Sequence, residues 1–161
     1  MCSVSSGRDT IFMDLEKQKS ALDKLWYELW VFNGAGERLV FLETNKTRGL
    51  EMSVYLESFL VHTRNIVDFL ENKDNRDIRC SDFGANKISV NLPPDNTKIK
   101  INRWLSHIAK ERIEELNPKW KYPIIRKEIN RCFGIFLNQL DHDCFPSEKG
   151  RQKLDFESLL I

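Results

Sequence analysis

Apolar residues along the first third of the chain recur with the period of a helix. The positions on this first stripe are Leu15, Leu22, Leu25, Leu29 and Phe32. Their spacing is that of one helix face, and Asp14, just before the stripe, is a good N-cap residue. The sequence Asn-Gly-Ala-Gly at 33–36 weakens the pattern, because a glycine inside a helix costs about 1 kcal/mol relative to alanine. We therefore expect the helix to stop there or to kink before Leu39.

A second helix is predicted from about Leu50 to Asn72. Its stripe has one polar member, Thr63, and otherwise consists of Met52, Leu56, Phe59, Ile66 and Leu70. Turn-forming residues at 72–75 end it. We expect one short helical turn within Asp77 to Phe83. We expect a loop over 84–96, because the brief alternation KISVNL is closed by two prolines and has no second strand to pair with.

Two more helices are predicted in the second half of the chain. The third begins near Thr97 and ends at Pro118, since proline cannot continue a helix. The fourth begins near Pro123, which suits a first-turn position, and runs to about Leu140. Beyond Asp141 the chain is polar. The apolar residues of the third helix are Ile101, Leu105, Ile108 and Leu116, those of the fourth are Ile125, Ile129, Cys132, Phe133, Phe136 and Leu137, and those that could dock a last short helix are Phe156, Leu159, Leu160 and Ile161.

Four amphipathic helices, each with one stripe to bury, predict an all-α fold. The simplest arrangement is an antiparallel four-helix bundle with a short extra helix and a C-terminal tail. We expect one domain over residues 1–161, because a chain of 161 residues can bury a core without metal or disulfide support. Its core should span about 14–141, with 1–13 and 142–161 peripheral. Strand content should be close to zero.

Composition and short motifs limit the classes of protein to which the chain could belong. The chain has no run near the roughly 20 apolar residues of a membrane span, and its first ten residues lack an apolar signal core, which predicts a cytoplasmic location. Its four cysteines form no CxxC pair, so reduced thiols are the simplest reading. The neighbours Asp141 to Cys144 include His142 but cannot all face one ion on a regular helix. We therefore expect no metal and, without a glycine-rich phosphate loop, no cofactor.

The net charge of +1 hides an uneven distribution. Residues 97–131 hold ten Lys or Arg against four Glu, whereas 49–96 hold five basic residues against eight acidic ones. A solvated helix face accounts for the basic region without any function. The alternative is a basic groove for a phosphate-bearing partner.

Polar residues of the second helix fall into two groups. Glu57, Arg64 and Asp68 lie nearly opposite the apolar stripe and form either a solvated charged face or one wall of a cleft between helices or subunits. His62 and Asn65 flank the stripe, where a half-buried polar group needs a hydrogen-bond partner. A structural role is the simpler interpretation of His62. The cleft hypothesis makes Arg64 and Asp68 candidate catalytic residues, and Asn65, next to Arg64 in the sequence, is a third candidate.

The third helix carries the basic residues of interest. Lys100, Arg103, His107 and Lys110 follow one polar face, whereas Arg112 falls near the apolar stripe and should point inward. A buried Arg112 would require a carboxylate partner; the acids to test are Asp68, Asp77 and Asp82. His107 sits among cations that favour its neutral form, so it is a candidate base. Lys100, Arg103, Lys110 and Arg112 are the candidate nucleic-acid-binding residues.

The runs LESFLVHTRNIVDFL and INRWLSHIAKERI resemble an uncharacterised group of small bacterial helical proteins and, more distantly, the HEPN superfamily. HEPN proteins are helical bundles that pair as dimers, and many are metal-independent ribonucleases. Their motif is an Arg followed by Asn, Asp or His, with a further His beyond it. Arg64 and Asn65 match its opening, but Phe69, Leu70 and Glu71 fill the window for the His. The resemblance therefore implies a HEPN-like fold and favours a non-catalytic member.

Two functional hypotheses follow. The first is a non-enzymatic helical interaction or regulatory module, for which the expected setting is a bacterial defence or toxin–antitoxin system. The second is a HEPN-like ribonuclease or RNA-binding protein that uses the basic third helix. A homodimer is expected in either case, because Trp26 and Trp30 lie one helical turn apart and aromatic residues are enriched in interface cores. A protein or RNA partner is expected, and a membrane is not.

Overall fold

The computed structural model of the protein describes residues 13–47, 49–106, 120–145 and 152–160. These residues form five α-helices and two short 3-10 turns, with no strand among them, so the fold is all-α as predicted. The helices are α1 (Leu15–Thr44), α2 (Leu50–Leu70), α3 (Thr97–Ser106), α4 (Tyr122–Leu137) and α5 (Lys153–Leu159). The 3-10 turns are Cys80–Phe83 and His142–Cys144.

Helix α1 begins where the sequence predicts. The Asp14 carboxylate accepts a hydrogen bond from the backbone N–H of Lys17 at 3.0 Å, which satisfies one of the unpaired donors of the first turn. Of the two alternatives, the stop at 33–36 is wrong, because α1 continues through both glycines to Thr44, and the kink before Leu39 stays a prediction. Gly36 is buried against α4 and α2, and the packing there outweighs the low helix propensity of glycine.

Helix α2 and the turn that follows it agree with the sequence pattern. Phe59 and Ile66 are fully buried, and the one polar member of the stripe, Thr63, donates to the carbonyl of Phe59 at 2.7 Å. The helix ends at Leu70, two residues before the predicted end. The predicted helical turn is the 3-10 turn Cys80–Phe83.

The segment 84–96 is a loop, as predicted, but it is well packed. Ile88, Val90 and Leu92 are buried. In place of a neighbouring strand, side chains accept the backbone hydrogen bonds: Glu71 accepts from the N–H of Val90 and Glu128 from that of Asn91, each at 3.1 Å. Together with the bond from the Ile88 N–H to the carbonyl of Leu70, they satisfy backbone donors that a sheet would otherwise pair.

Contacts between helices define how α1 packs. Successive residues of α1 contact residues of α2 with decreasing numbers: Glu28 contacts His62, Phe32 contacts Phe59, and Arg38 contacts Glu51. The contacts with α4 follow the same order, since Asn33 contacts Asn130 and Glu37 contacts Arg126. Helices α2 and α4 therefore both run antiparallel to α1 and cover one side of it. The further arrangement into a four-helix bundle stays a prediction.

The last helix, α5, packs against the core. Phe156 is fully buried and lies between Phe133 of α4 and Phe145, with ring centroids 6.1 and 5.9 Å away. Leu159 and Leu160 also pack against the core, so these three residues dock as the sequence suggested, and Ile161 lies outside the described residues.

Candidate functional site

Arg64 and Asp68 of α2 lie together on a cleft between α2 and α3. They line it with Lys73, Lys98, Ile101 and Asn102. Asp68 pairs with Lys73 at 3.0 Å, whereas Arg64 makes no hydrogen bond or ion pair to any residue that the structure describes. Of the cations that line this cleft, Arg64 is the one that pairs with no carboxylate among the described residues.

Glu71 stands behind this cleft and neutralises part of its charge. It accepts hydrogen bonds from Lys98 and from the Val90 N–H, and Lys73 lies 3.6 Å away. Burial by itself raises the pKa of Glu71, but these bonds outweigh burial and leave the pKa below its ordinary value. Glu71, just after α2, is thus bound both to α3 through Lys98 and to the loop 84–96 through the Val90 N–H.

Asn65 turns away from Arg64 toward α1. It donates to Oε2 of Glu28 at 3.1 Å, and Nδ1 of His62 meets the same oxygen at 2.7 Å. Tyr27 places its ring edge-on to His62, with centroids 5.9 Å apart. The prediction that both half-buried side chains find hydrogen-bond partners is confirmed. Consecutive helical positions diverge by about 100°, so Arg64 and Asn65 enter different surroundings.

The structure brings only part of the predicted α3 site into view. Lys100 is half-buried and Arg103 is exposed on α3. His107, Lys110 and Arg112 lie outside the described residues. Of the acids considered for Arg112, Asp68 pairs with Lys73, and Asp82 pairs with Arg79 at 3.1 Å.

The three cysteines that the structure describes lie in the interior. Cys80, Cys132 and Cys144 are free and buried, and burial raises the pKa of the Cys132 thiol to about 11. Cys144 faces Gln18 from the turn His142–Cys144. Across the described ranges no cluster of three His, Cys, Asp or Glu could hold a metal ion. No helix in those same ranges has both the length and the apolar character to span a bilayer.

A row of half-exposed aromatic residues lies on α1, on the side opposite the buried Phe32 and beside the contacts with His62 and Glu51 of α2. We call it the outer stripe; it consists of Tyr27, Trp30, Gly34, Arg38 and Phe41. The three aromatic residues are 52%, 52% and 54% exposed. Trp30 stacks on Trp26 at 5.9 Å and contacts Tyr27 at 6.3 Å, and the Arg38 guanidinium lies 4.8 Å from the ring centre of Phe41.

The two glycines of α1 face opposite ways. A Cβ on Gly36 would lie 2.5 Å from Cδ of Arg126 and 2.9 Å from Cε2 of Phe59, so only glycine fits there. A Cβ on Gly34 would meet nothing within 4 Å. Next to Gly36, Asn33 and Asn130 exchange amide hydrogen bonds at 3.0 and 3.2 Å.

No family model matches this chain. Neither a curated protein nor a solved structure matches it.

Sequence reasoning noticed Trp26 and Trp30 but missed the rest of the outer stripe. The signal was present, because Tyr27, Gly34 and Phe41 repeat every seven residues on the side opposite Phe32. Glu28 as the partner of His62 carries no comparable signal, since the two residues are 34 positions apart. Such long-range pairs depend on how α1 and α2 pack.

Proposed function

We propose that the chain is a non-enzymatic helical interaction module and that it self-associates through the outer stripe. The observation that carries this proposal is the exposure of Tyr27, Trp30 and Phe41, each about half accessible, along one side of a single helix. Clustered aromatic residues on a surface mark contact sites far more often than isolated ones do.

The area involved is sufficient for association. Three half-exposed aromatic side chains offer roughly 300 Å² on each copy, and burying both copies of that area stabilises a dimer by roughly 15 kcal/mol at 25 cal/mol per Å². This reaches the upper end of the roughly 4 to 15 kcal/mol lost when two proteins associate. We therefore expect a dimer at tens of micromolar.

The predicted catalytic residues support a non-enzymatic role. Arg64 faces the α2–α3 cleft while Asn65 is bound to Glu28. The opening pair of the HEPN-like motif is thus divided between two surroundings. A single reaction centre would need both side chains to converge.

Sedimentation velocity tests the proposal. The wild-type chain should sediment as a dimer at about 50 µM, and Trp30→Ala should shift it toward monomer. Ile135→Ala is the matched control, because it truncates a 40% exposed apolar residue of α4 instead, and it should leave the dimer intact. A monomeric wild-type chain, or equal behaviour of the two variants, contradicts the proposal.

A second candidate function, RNA binding, has one observation in its favour. Arg64 is available on a cleft that also holds Lys98 and Asn102, and a cation near hydrogen-bond donors suits a phosphate. Binding should then weaken with salt by a logarithmic slope of about 0.7 per phosphate contact on single strands. Arg64→Ala should reduce it, whereas Arg76→Ala, at a surface cation already paired with Asp74, should not.

RNA cleavage is a separate claim. It assigns His107 the role of base and Arg64 that of phosphate cation. His107→Ala and Arg64→Ala should then each abolish nuclease activity without unfolding the chain. If wild-type protein neither binds nor cuts RNA at about 50 mM salt, where electrostatic attraction is strong, this candidate fails.

A further inference from the structure

Gly34 has no role inside the part of the chain that the structure describes. It lies in the middle of a 30-residue helix, a position where glycine weakens the helix. Gly36 is required by its contacts with Phe59 and Arg126, but nothing comes within 4 Å of a Cβ on Gly34. A surface glycine at such a place suits the close approach of another backbone.

The outer stripe is symmetric about Gly34. Trp30 and Arg38 lie four residues to either side of it, and Tyr27 and Phe41 lie seven to either side. At 100° per residue all five positions fall within an arc of about 80°. Reversing the direction of the helix about Gly34 therefore maps the stripe onto itself.

This symmetry is what a twofold antiparallel pair requires. In such a pair, with the axis at Gly34, residues equally distant from it come to the same level. Tyr27 is then level with the partner's Phe41, and Trp30 with the partner's Arg38. Aromatic rings pair favourably with each other and with guanidinium groups.

Arg38 is already held in position for this contact. Its Nε and Nη2 donate to Oε1 of Glu51 at 3.0 and 2.6 Å, while its guanidinium lies beside Phe41. Its side chain is 40% exposed, so one surface remains open to the indole of a facing Trp30.

The charges of α1 favour the antiparallel direction. In that direction Glu37 is level with the partner's Val31, and Asp23 with the partner's Asn45, so no like charges meet. A parallel pair would set Arg38 against its own copy, which is unfavourable.

We propose that two copies of this chain pack α1 against α1 antiparallel, crossing at Gly34. The proposal rests on the proposed self-association and specifies its geometry. Leu50 and Val54 of α2 flank Glu51, the partner of Arg38, and extend the surface at the Phe41 end. With the three aromatic residues they expose roughly 500 Å² of apolar side chain. That is close to the apolar share of the roughly 800 Å² per subunit in a stable interface.

Disulfide trapping tests this geometry directly. A Cys2→Ser background leaves the buried Cys80, Cys132 and Cys144. On it, Gly34→Cys should form a covalent dimer on mild oxidation, because the two Gly34 positions meet at the axis. Tyr27→Cys alone should not, since its two copies lie about 21 Å apart along the helices. A mixture of Tyr27→Cys and Phe41→Cys chains should cross-link to each other, which provides a second arm that leaves Gly34 in place.

The outcomes separate this proposal from the one on which it rests. If the wild-type chain is a dimer by sedimentation but neither Gly34→Cys nor the mixture cross-links, the antiparallel geometry is overturned while self-association stands. If Tyr27→Cys cross-links to itself, the helices are parallel and the geometry is wrong. If the wild-type chain is monomeric, self-association itself fails.

Discussion

The two sides of α1 carry the same kinds of residue for different purposes. On the inner side, Phe32 is fully buried and Gly36 has no room for a Cβ. On the outer side, Trp30 is half exposed and Gly34 faces open space. Contacts among the described residues enclose the inner side completely, whereas Trp30 keeps about half of its surface open although it stacks on Trp26. An aromatic or a glycine in the sequence therefore does not by itself show whether its position is buried or exposed.

The largest effect on stability is expected on the inner side of α1, where the side-chain amides of Asn33 and Asn130 exchange hydrogen bonds. Asn33→Ala should destabilise the fold by about 2 to 4 kcal/mol, because Asn130 and Arg126 both lose a partner. Urea denaturation measures this. The double variant Asn33→Leu with Asn130→Leu should recover part of the loss, since neither amide is then buried without the other, whereas Arg126 still lacks its acceptor. If the double variant is as unstable as Asn33→Ala, the lost stability comes from the packing of these side chains and not from their hydrogen bonds.

The next effect concerns the inner glycine. Gly36→Ala should destabilise the fold by about 1 to 3 kcal/mol, because the methyl group must displace the packed Phe59 ring as well as the more flexible Arg126. The change is read from the urea midpoint at low protein concentration, where any dimer has dissociated. A gain in stability would mean that α1 can move away from α4 without cost.

A smaller effect is expected on the pH dependence of the free energy of unfolding, which here comes from an ion pair away from the outer stripe. Arg131, through its hydrogen bonds, holds the pKa of Glu128 at about 2, below its ordinary 4.5. A carboxylate with a lowered pKa stabilises the fold above the ordinary value, and that stability is lost as pH falls from about 4.5 toward 2. Glu128→Gln should remove about 1 kcal/mol of this pH dependence, discounted because Glu128 is partly exposed. An unchanged acid profile would show that the ion pair contributes nothing.

The sequence predicts most of the helices because their signals are local. The Asp14 cap, the stripe around Phe59 and the proline start of α4 all act within a few residues. The continuation of α1 past Gly36 was not predictable, since it depends on packing against Phe59 and Arg126. At the α2–α3 cleft, helical spacing places Arg64 and Asp68 on one face, but it could not reveal that Asn65 binds Glu28.

The most direct test of the outer stripe as a self-association surface is the variant Gly34→Gln, for which both the stability of the fold and the strength of dimerisation are measured. Glutamine is a better helix former than glycine, so the fold measured at submicromolar concentration should gain about 0.5 kcal/mol. The same side chain would block the close crossing of two α1 helices, so sedimentation should show the dimer weakened at least about tenfold. The predicted result is that this one variant folds more stably than the wild type but dimerises more weakly. A chain that is more stable and dimerises as tightly as the wild type would contradict the account.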